Sequence, residues 1–233
     1  MYYTYHNWNQ DDENRRKQDE LQEKVIGNFL DKYYYSTFTT SITRNTDKET
    51  QIHGLDLTVT STNNKTYTID EKAAVKWANK TLNTFAFEVN SLDKNGDIYD
   101  GWFMTKSSEA LNDYWLLVWV DSATTTDFKS MDDVQQVTVT LLNKQDVYDW
   151  MHKNHINGKE LKETAKNLRQ NFNLDNYYTN TKIHGLKVTI QPKVSEHAIN
   201  ILLPKQALVN EVATYSAVVT KNGVTPIRKK MGI

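Results

Sequence analysis

Hydrophobic residues recur along this chain with two spacings, one close to four residues and the other of two. Over residues 10–35, Leu21, Val25 and Phe29 stand four apart, and Ile26, Leu30, Tyr33 and Tyr34 widen the same stripe. This spacing predicts an amphipathic helix whose acidic first turns suit the macrodipole. Residues 38–43 read as a first strand, ending at the polar turn Asn45-Thr46-Asp47-Lys48. In the next two segments, 54–60 and 66–72, odd positions are largely apolar (Leu55, Leu57, Val59; Tyr67, Ile69). Even positions there are polar (Asp56, Thr58, Thr60; Thr66, Thr68, Asp70, Lys72). Such alternation is the pattern of half-buried strands. Further strands are expected at 85–89 and 102–104 around the hairpin signal Asn95-Gly96, and at 116–120, 134–142, 185–191 and 198–203. Helices are expected at about 144–153, 159–170 and 204–211.

These elements predict an α/β fold, a mixed central sheet flanked by helices. No proline- or serine-rich linker interrupts the chain. It therefore reads as one domain over 1–220, with a core at about 10–150, a basic elaboration at about 151–220 and a loose basic tail at 221–233.

The turn residues Ser61-Thr62-Asn63-Asn64-Lys65 join the two alternating strands. A loop centred on Asn63 sets Asp56 opposite Asp70, Leu57 opposite Ile69 and Val59 opposite Tyr67. Two carboxylates facing each other across a strand pair repel, and the arrangement calls for something to offset it. A divalent cation is the expected agent; hard oxygen ligands suit magnesium or manganese. Lys72 projects to the same side as Asp70, about 6–7 Å along the strand, where it can orient water or neutralise a phosphate.

Asp56, a spacer and then Asp70-Glu71-Lys72 resemble the PD-(D/E)XK nuclease superfamily, over roughly the first 120 residues. The resemblance implies a restriction-endonuclease-like fold and a magnesium-dependent nuclease acting on DNA, an endonuclease in the first instance. Asp56 and Asp70 would be metal ligands with the backbone carbonyl of Glu71, and Lys72 would position the attacking water. Glu23, on the preceding helix, would complete the catalytic set in competition with Asp19 and Glu20. Leu55 stands where the family name has proline, and an aspartate opens the tripeptide.

Net charge is only −1 over 233 residues, but it is unevenly spread. Residues 151–233 carry 13 Lys+Arg against 5 Asp+Glu, and residues 1–150 carry 15 against 24. A basic last third suits a polyanion. Lys76, Lys80, Lys182, Lys187, Arg228, Lys229 and Lys230 are the expected nucleic-acid contacts. Trp77 is expected in the core, with base stacking as the alternative. Glu88 is a further carboxylate on the polar face of its strand. His152 and His155 have i, i+3 spacing but lack the companions a zinc site needs.

The chain has no cysteine, so no disulfide framework or thiolate zinc site is expected. Its longest apolar run, Trp115 to Val120, is too short for a membrane span, and its first residues are polar and acidic, unlike a signal peptide. A cytoplasmic location without membrane attachment is expected. Gly-x-Gly-x-x-Gly, Walker-type and Gly-x-Ser-x-Gly motifs do not occur. Ile52-His53-Gly54-Leu55 recurs as Ile183-His184-Gly185-Leu186, read as coincidence because the second copy has no matching Asp-x-Lys. A homodimer would suit double-strand cutting. The alternative function is a catalytically inactive nuclease-like protein of a phage or mobile element, blocking a host defence complex through its acidic half.

Overall fold

A computed structural model describes residues 10–105, 110–172, 179–191 and 196–230. The protein is mixed α/β and divides into two compact units. One comprises the described parts of Met1–Arg16, Thr84–Lys106 and Asp149–Leu203; the other comprises those of Lys17–Asn83, Ser107–Tyr148 and Pro204–Ile233. The chain passes repeatedly from one to the other, a division that no linker composition announces.

The larger unit is built on a seven-stranded sheet. Its strands are β1 (Thr39–Arg44), β2 (Leu57–Ser61), β3 (Thr66–Ala73), β6 (Tyr114–Ala123), β7 (Val134–Asn143), β11 (Tyr215–Thr220) and β12 (Gly223–Lys229), and this is also their spatial order. β3 and β6 are parallel and their neighbours antiparallel, so the sheet is mixed. Helix α1 (Gln10–Tyr33) contributes Val25, Ile26, Phe29 and Leu30 to a core that also holds Leu57, Val59, Ile69, Leu116, Val118 and Val139. Leu21, expected on the stripe, is exposed; Gln22 is buried in its stead and donates to the Thr126 carbonyl at 2.9 Å.

The β2–β3 register agrees with the sequence reading: Leu57 pairs with Ile69 and Val59 with Tyr67. β2 itself begins one residue after Asp56. Before it, the expected polar turn opens into a short helix, α2 (Lys48–Ile52), which Asp47 caps by accepting from Glu49 and Thr50. Gly54 ends that turn at φ +81°, in the left-handed region that suits glycine.

The expected loose tail is instead largely sheet. Residues 223–229 form β12, the edge strand paired with β11; residues 231–233 lie outside the described residues. Pro226 is compatible with that position, because an edge strand can lack one N–H. The smaller unit holds a five-stranded sheet with β5 (Ile98–Asp100), β4 (Thr84–Leu92), β10 (Ile199–Pro204), β9 (Leu186–Ile190) and β8 (Asn180–Ile183) in that order, with α4 (Gly158–Asn171) packed on it. Residues 102–104, expected as a strand, form a turn. Helix α3 (Lys144–Lys153) matches its expected bounds. No described helix is long and apolar enough to cross a membrane.

Candidate active site

Asp56 is fixed where α2 hands the chain to β2. Its backbone N–H donates to the Ile69 carbonyl at 3.1 Å, its carbonyl accepts from Asn45 at 2.8 Å, and its Oδ2 accepts from the Glu71 backbone N–H at 2.8 Å. The carboxyl is thus tied to the strand that carries Asp70 and Lys72. Asp70 is a buried residue, 1% exposed. The Lys72 Nζ lies 2.5 Å from its Oδ1, yet that oxygen is buried without a well-angled hydrogen bond. Asp56, Asp70 and Lys72 therefore come together on one side of β3.

Burial, and the Asp70 carboxylate bonded beside it, push the Asp56 carboxyl up to about 7 even against Lys72. Crowding of like charges in this way favours the protonated form of Asp56. Glu23 is an exposed residue whose carboxyl end is desolvated; this raises it to about 7, with Lys72 opposing and Asp19 and Asp56 adding. For Lys72, burial disfavours the charge, but Asp70 and Asp56 outweigh it and hold the ammonium's pKa above its ordinary value. It stays a cation.

Glu71 points the other way. Its carboxylate accepts from Tyr35 at 2.8 Å and from Arg44 at 2.7 Å, while Arg44 also grips Asp31 at 2.8 Å. Only the Glu71 backbone carbonyl remains for the role that the resemblance implies. Among the described residues no three histidine, aspartate or glutamate side chains form a ready-made metal cage. Two aspartates brought together at adjoining strands nevertheless fit magnesium, which takes one or two carboxylates and completes its shell with water or phosphate.

Sequence reasoning missed a second group around Asp70. An added Cβ at Gly54 would stand 2.7 Å from Asn112 Oδ1 and 3.3 Å from Asp70 Oδ2, so glycine leaves a niche between them. Asn112 is buried, donates to the Tyr114 carbonyl at 2.8 Å and accepts from Lys144 Nζ at 3.2 Å. Lys144 opens α3 and lies over the Trp115 ring, 5.3 Å from its centre. Trp115 is the partner of Asp70 across β3 and β6. Burial lowers the Lys144 pKa, with Asp70 and Asp113 opposing. No local motif links positions 54, 70, 112 and 144, so only the fold could show this grouping.

Comparison with known families, with curated proteins and with solved structures finds no match for the chain. Its function must be argued from the site.

The remaining expected contacts are dispersed. Lys76 pairs with Asp19 at 2.6 Å. Trp77 is not in the core: it is 50% exposed, with Lys80 Nζ 5.7 Å from its ring centre. Lys230 pairs with Asp146 at 2.8 Å, Arg228 donates to the Glu211 carbonyl at 3.3 Å, and Lys229 is exposed. Lys182 and Lys187 are exposed and face each other across β8 and β9, in the smaller unit. Glu88 lies in that unit as well, where its backbone and side chain would collide with any Cβ at Gly101. His184 pairs with Glu160 at 2.9 Å, and its ring centre is 6.3 Å from that of His155. The recurrent His-Gly is shared turn chemistry: Gly54 follows α2, whereas His184 and Gly185, both at positive φ, form a two-residue hairpin turn.

Proposed function

We propose that this protein is a metal-dependent nuclease with a restriction-endonuclease-like core, hydrolysing phosphodiester bonds in DNA. The observation that carries this reading is the meeting of Asp56, Asp70 and a charged Lys72 on one side of β3. Two further observations support it. Glu23 on α1, Asp56 at the head of β2 and the Asp70-Glu71-Lys72 tripeptide on β3 follow the order that the resemblance implies. The acid pair also costs stability unless a cation or proton offsets it, so a purely structural role gives little reason to keep it.

Magnesium or manganese held by Asp56 and Asp70 would supply an activated water and would stabilise negative charge on the phosphate. Lys72, being cationic, hydrogen-bonds that water or a phosphate oxygen rather than removing a proton. Glu23, with a carboxyl near 7, is suited to accept the proton of the attacking water at neutral pH. The exposed Lys80 and Lys229, in the same unit as the site, would add sequence-independent affinity for the backbone.

Cleavage of single-stranded DNA, duplex DNA and RNA, with magnesium, manganese or EDTA, tests the reading. Metal-dependent cleavage that is lost in Asp70→Asn and Lys72→Met is expected. Wild-type protein inert on all three polymers with either metal would refute it. The Lys72–Asp70 pairing favours a second reading, since it matches one carboxylate without any ion. On that reading the chain is a catalytically inactive binder of a host defence complex, and calorimetry would find no magnesium uptake that Asp56→Asn abolishes.

A further inference from the structure

Lys144 is a lysine near Asp70 that the nuclease pattern leaves without a task, and its surroundings are unusual for a merely solvated side chain. It is half-buried over the Trp115 ring, and its side-chain hydrogen-bond partner is a neutral amide oxygen, Asn112 Oδ1 at 3.2 Å. Among the described residues no carboxylate lies within salt-bridge distance of it. A partly desolvated ammonium that bonds no carboxylate directly retains capacity for an anion.

The position of this cation defines which anion. Asn112 Oδ1 and Asp70 Oδ2 both lie within 3.3 Å of the point where Gly54 lacks a side chain. Asp70 Oδ1, the other oxygen of the same carboxylate, is the one beside Lys72. Lys72 thus pairs with one oxygen of this acid, while Lys144 is held by the amide oxygen that borders the same niche as the other. A phosphate beside Asp70 would meet two ammonium groups, both of which interact electrostatically with that acid.

We propose that Lys144, oriented by Asn112 and Trp115, is a second cationic residue of this site, which contacts a non-bridging oxygen of a substrate phosphate as Lys72 contacts another. This deepens the nuclease reading and rests on it, because the phosphate is that of the nucleic acid. Asn112 is a positioning residue: it holds the Lys144 ammonium through its oxygen, and its own amide is anchored to the Tyr114 carbonyl. Glycine at position 54 keeps the niche open.

The test combines binding and cleavage in the whole protein. A fluorescein-labelled 20-base-pair duplex is titrated with calcium in place of magnesium, over a range of salt, against wild type, Lys144→Met and Lys144→Arg. Cleavage is then measured with magnesium. Methionine preserves the aliphatic packing on Trp115, and circular dichroism checks the fold. Loss of one phosphate contact lowers the slope of log affinity against log salt by about 1. Lys144→Met is expected to show that loss and cleavage about a hundredfold slower, with Lys144→Arg restoring most of both. A purely structural lysine would leave the salt slope unchanged. Lys144→Met with wild-type slope and wild-type cleavage overturns the proposal while the nuclease reading stands. A wild type that binds through Lys144 but never cleaves supports the phosphate contact and refutes the nuclease. A wild type that neither binds nor cleaves overturns both.

Discussion

The Lys72 ammonium lies 2.5 Å from an Asp70 carboxylate whose side chain is 2% exposed, whereas the lysine side chain is 27% exposed. The pair is therefore asymmetric: the acid is trapped inside, and the base reaches it from the rim. Removing the lysine leaves a buried charge alone, which costs about 3–5 kcal/mol in comparable pairs. Lys72→Met is expected to destabilise the protein by that order in urea unfolding. Adding Asp70→Asn to it should recover most of the loss, because the stranded charge is gone. Additive losses in the double variant would contradict this coupling.

Raised carboxyl pKa values give a pH dependence with a definite sign. In the unfolded chain Asp56 titrates near 3.8, and in the folded protein near 7. Between these values the native state holds more protons, so the contribution is fully present below about pH 4 and disappears as pH climbs to about 7. In EDTA the melting temperature of wild type should fall over that window more steeply than that of Asp56→Asn. Equal slopes would show that Asp56 is not the group involved.

The same proton competes with a cation. On the proposed reading, magnesium held by Asp56 would displace it, so apparent affinity should rise about tenfold per pH unit below pH 7 and level off above. Isothermal calorimetry in buffers of different ionisation enthalpy would detect the released proton. Affinity independent of pH would exclude Asp56 as a ligand.

Gly54→Ala is expected to damage the site without touching any charged residue. The backbone there is left-handed, and the added methyl would stand 2.7 Å from Asn112 Oδ1. Strain alone costs about 1–2 kcal/mol. The Gly54 variant should lose more than that, because the clash with Asn112 adds to the strain, while Gly185→Ala, at a similar φ but with open space around it, should show the backbone cost alone.

Arg44→Lys tests the opposite face of β3. Arg44 holds Asp31 and Glu71 together, and a lysine cannot span both carboxylates in the same fork. A loss of about 2–4 kcal/mol is expected, with the metal affinity of the surviving folded protein unchanged.

Much of this arrangement was legible from side-chain parity. Leu57, Val59, Tyr67 and Ile69 fixed the β2–β3 register because a one-residue slip would have exposed all four. Trp77 misled because hydrophobicity says nothing about direction within a tight turn; there Val75 and Ala78 take the interior and Trp77 faces out. Leu21 misled for a related reason, since Gln22 found a carbonyl and could occupy the buried stripe. Lys144 and Asn112 were illegible because their approach to Asp70 depends on the parallel alignment of β3 with β6, which no local pattern encodes. The C-terminal strand was hidden by its composition, as an exposed edge tolerates basic residues and proline.

Glu71 separates Asp70 from Lys72 in the chain and faces Arg44, so three consecutive letters are answerable to two different masters. On the proposed reading, foldability constrains the middle letter, and chemistry the outer two. If the proposed hydrolysis holds, a lineage that gave it up would be free to let Lys72 drift while Glu71 and Arg44 stayed put. Among future sequences of this kind, the ratio of change at those positions would tell working enzymes from retired ones.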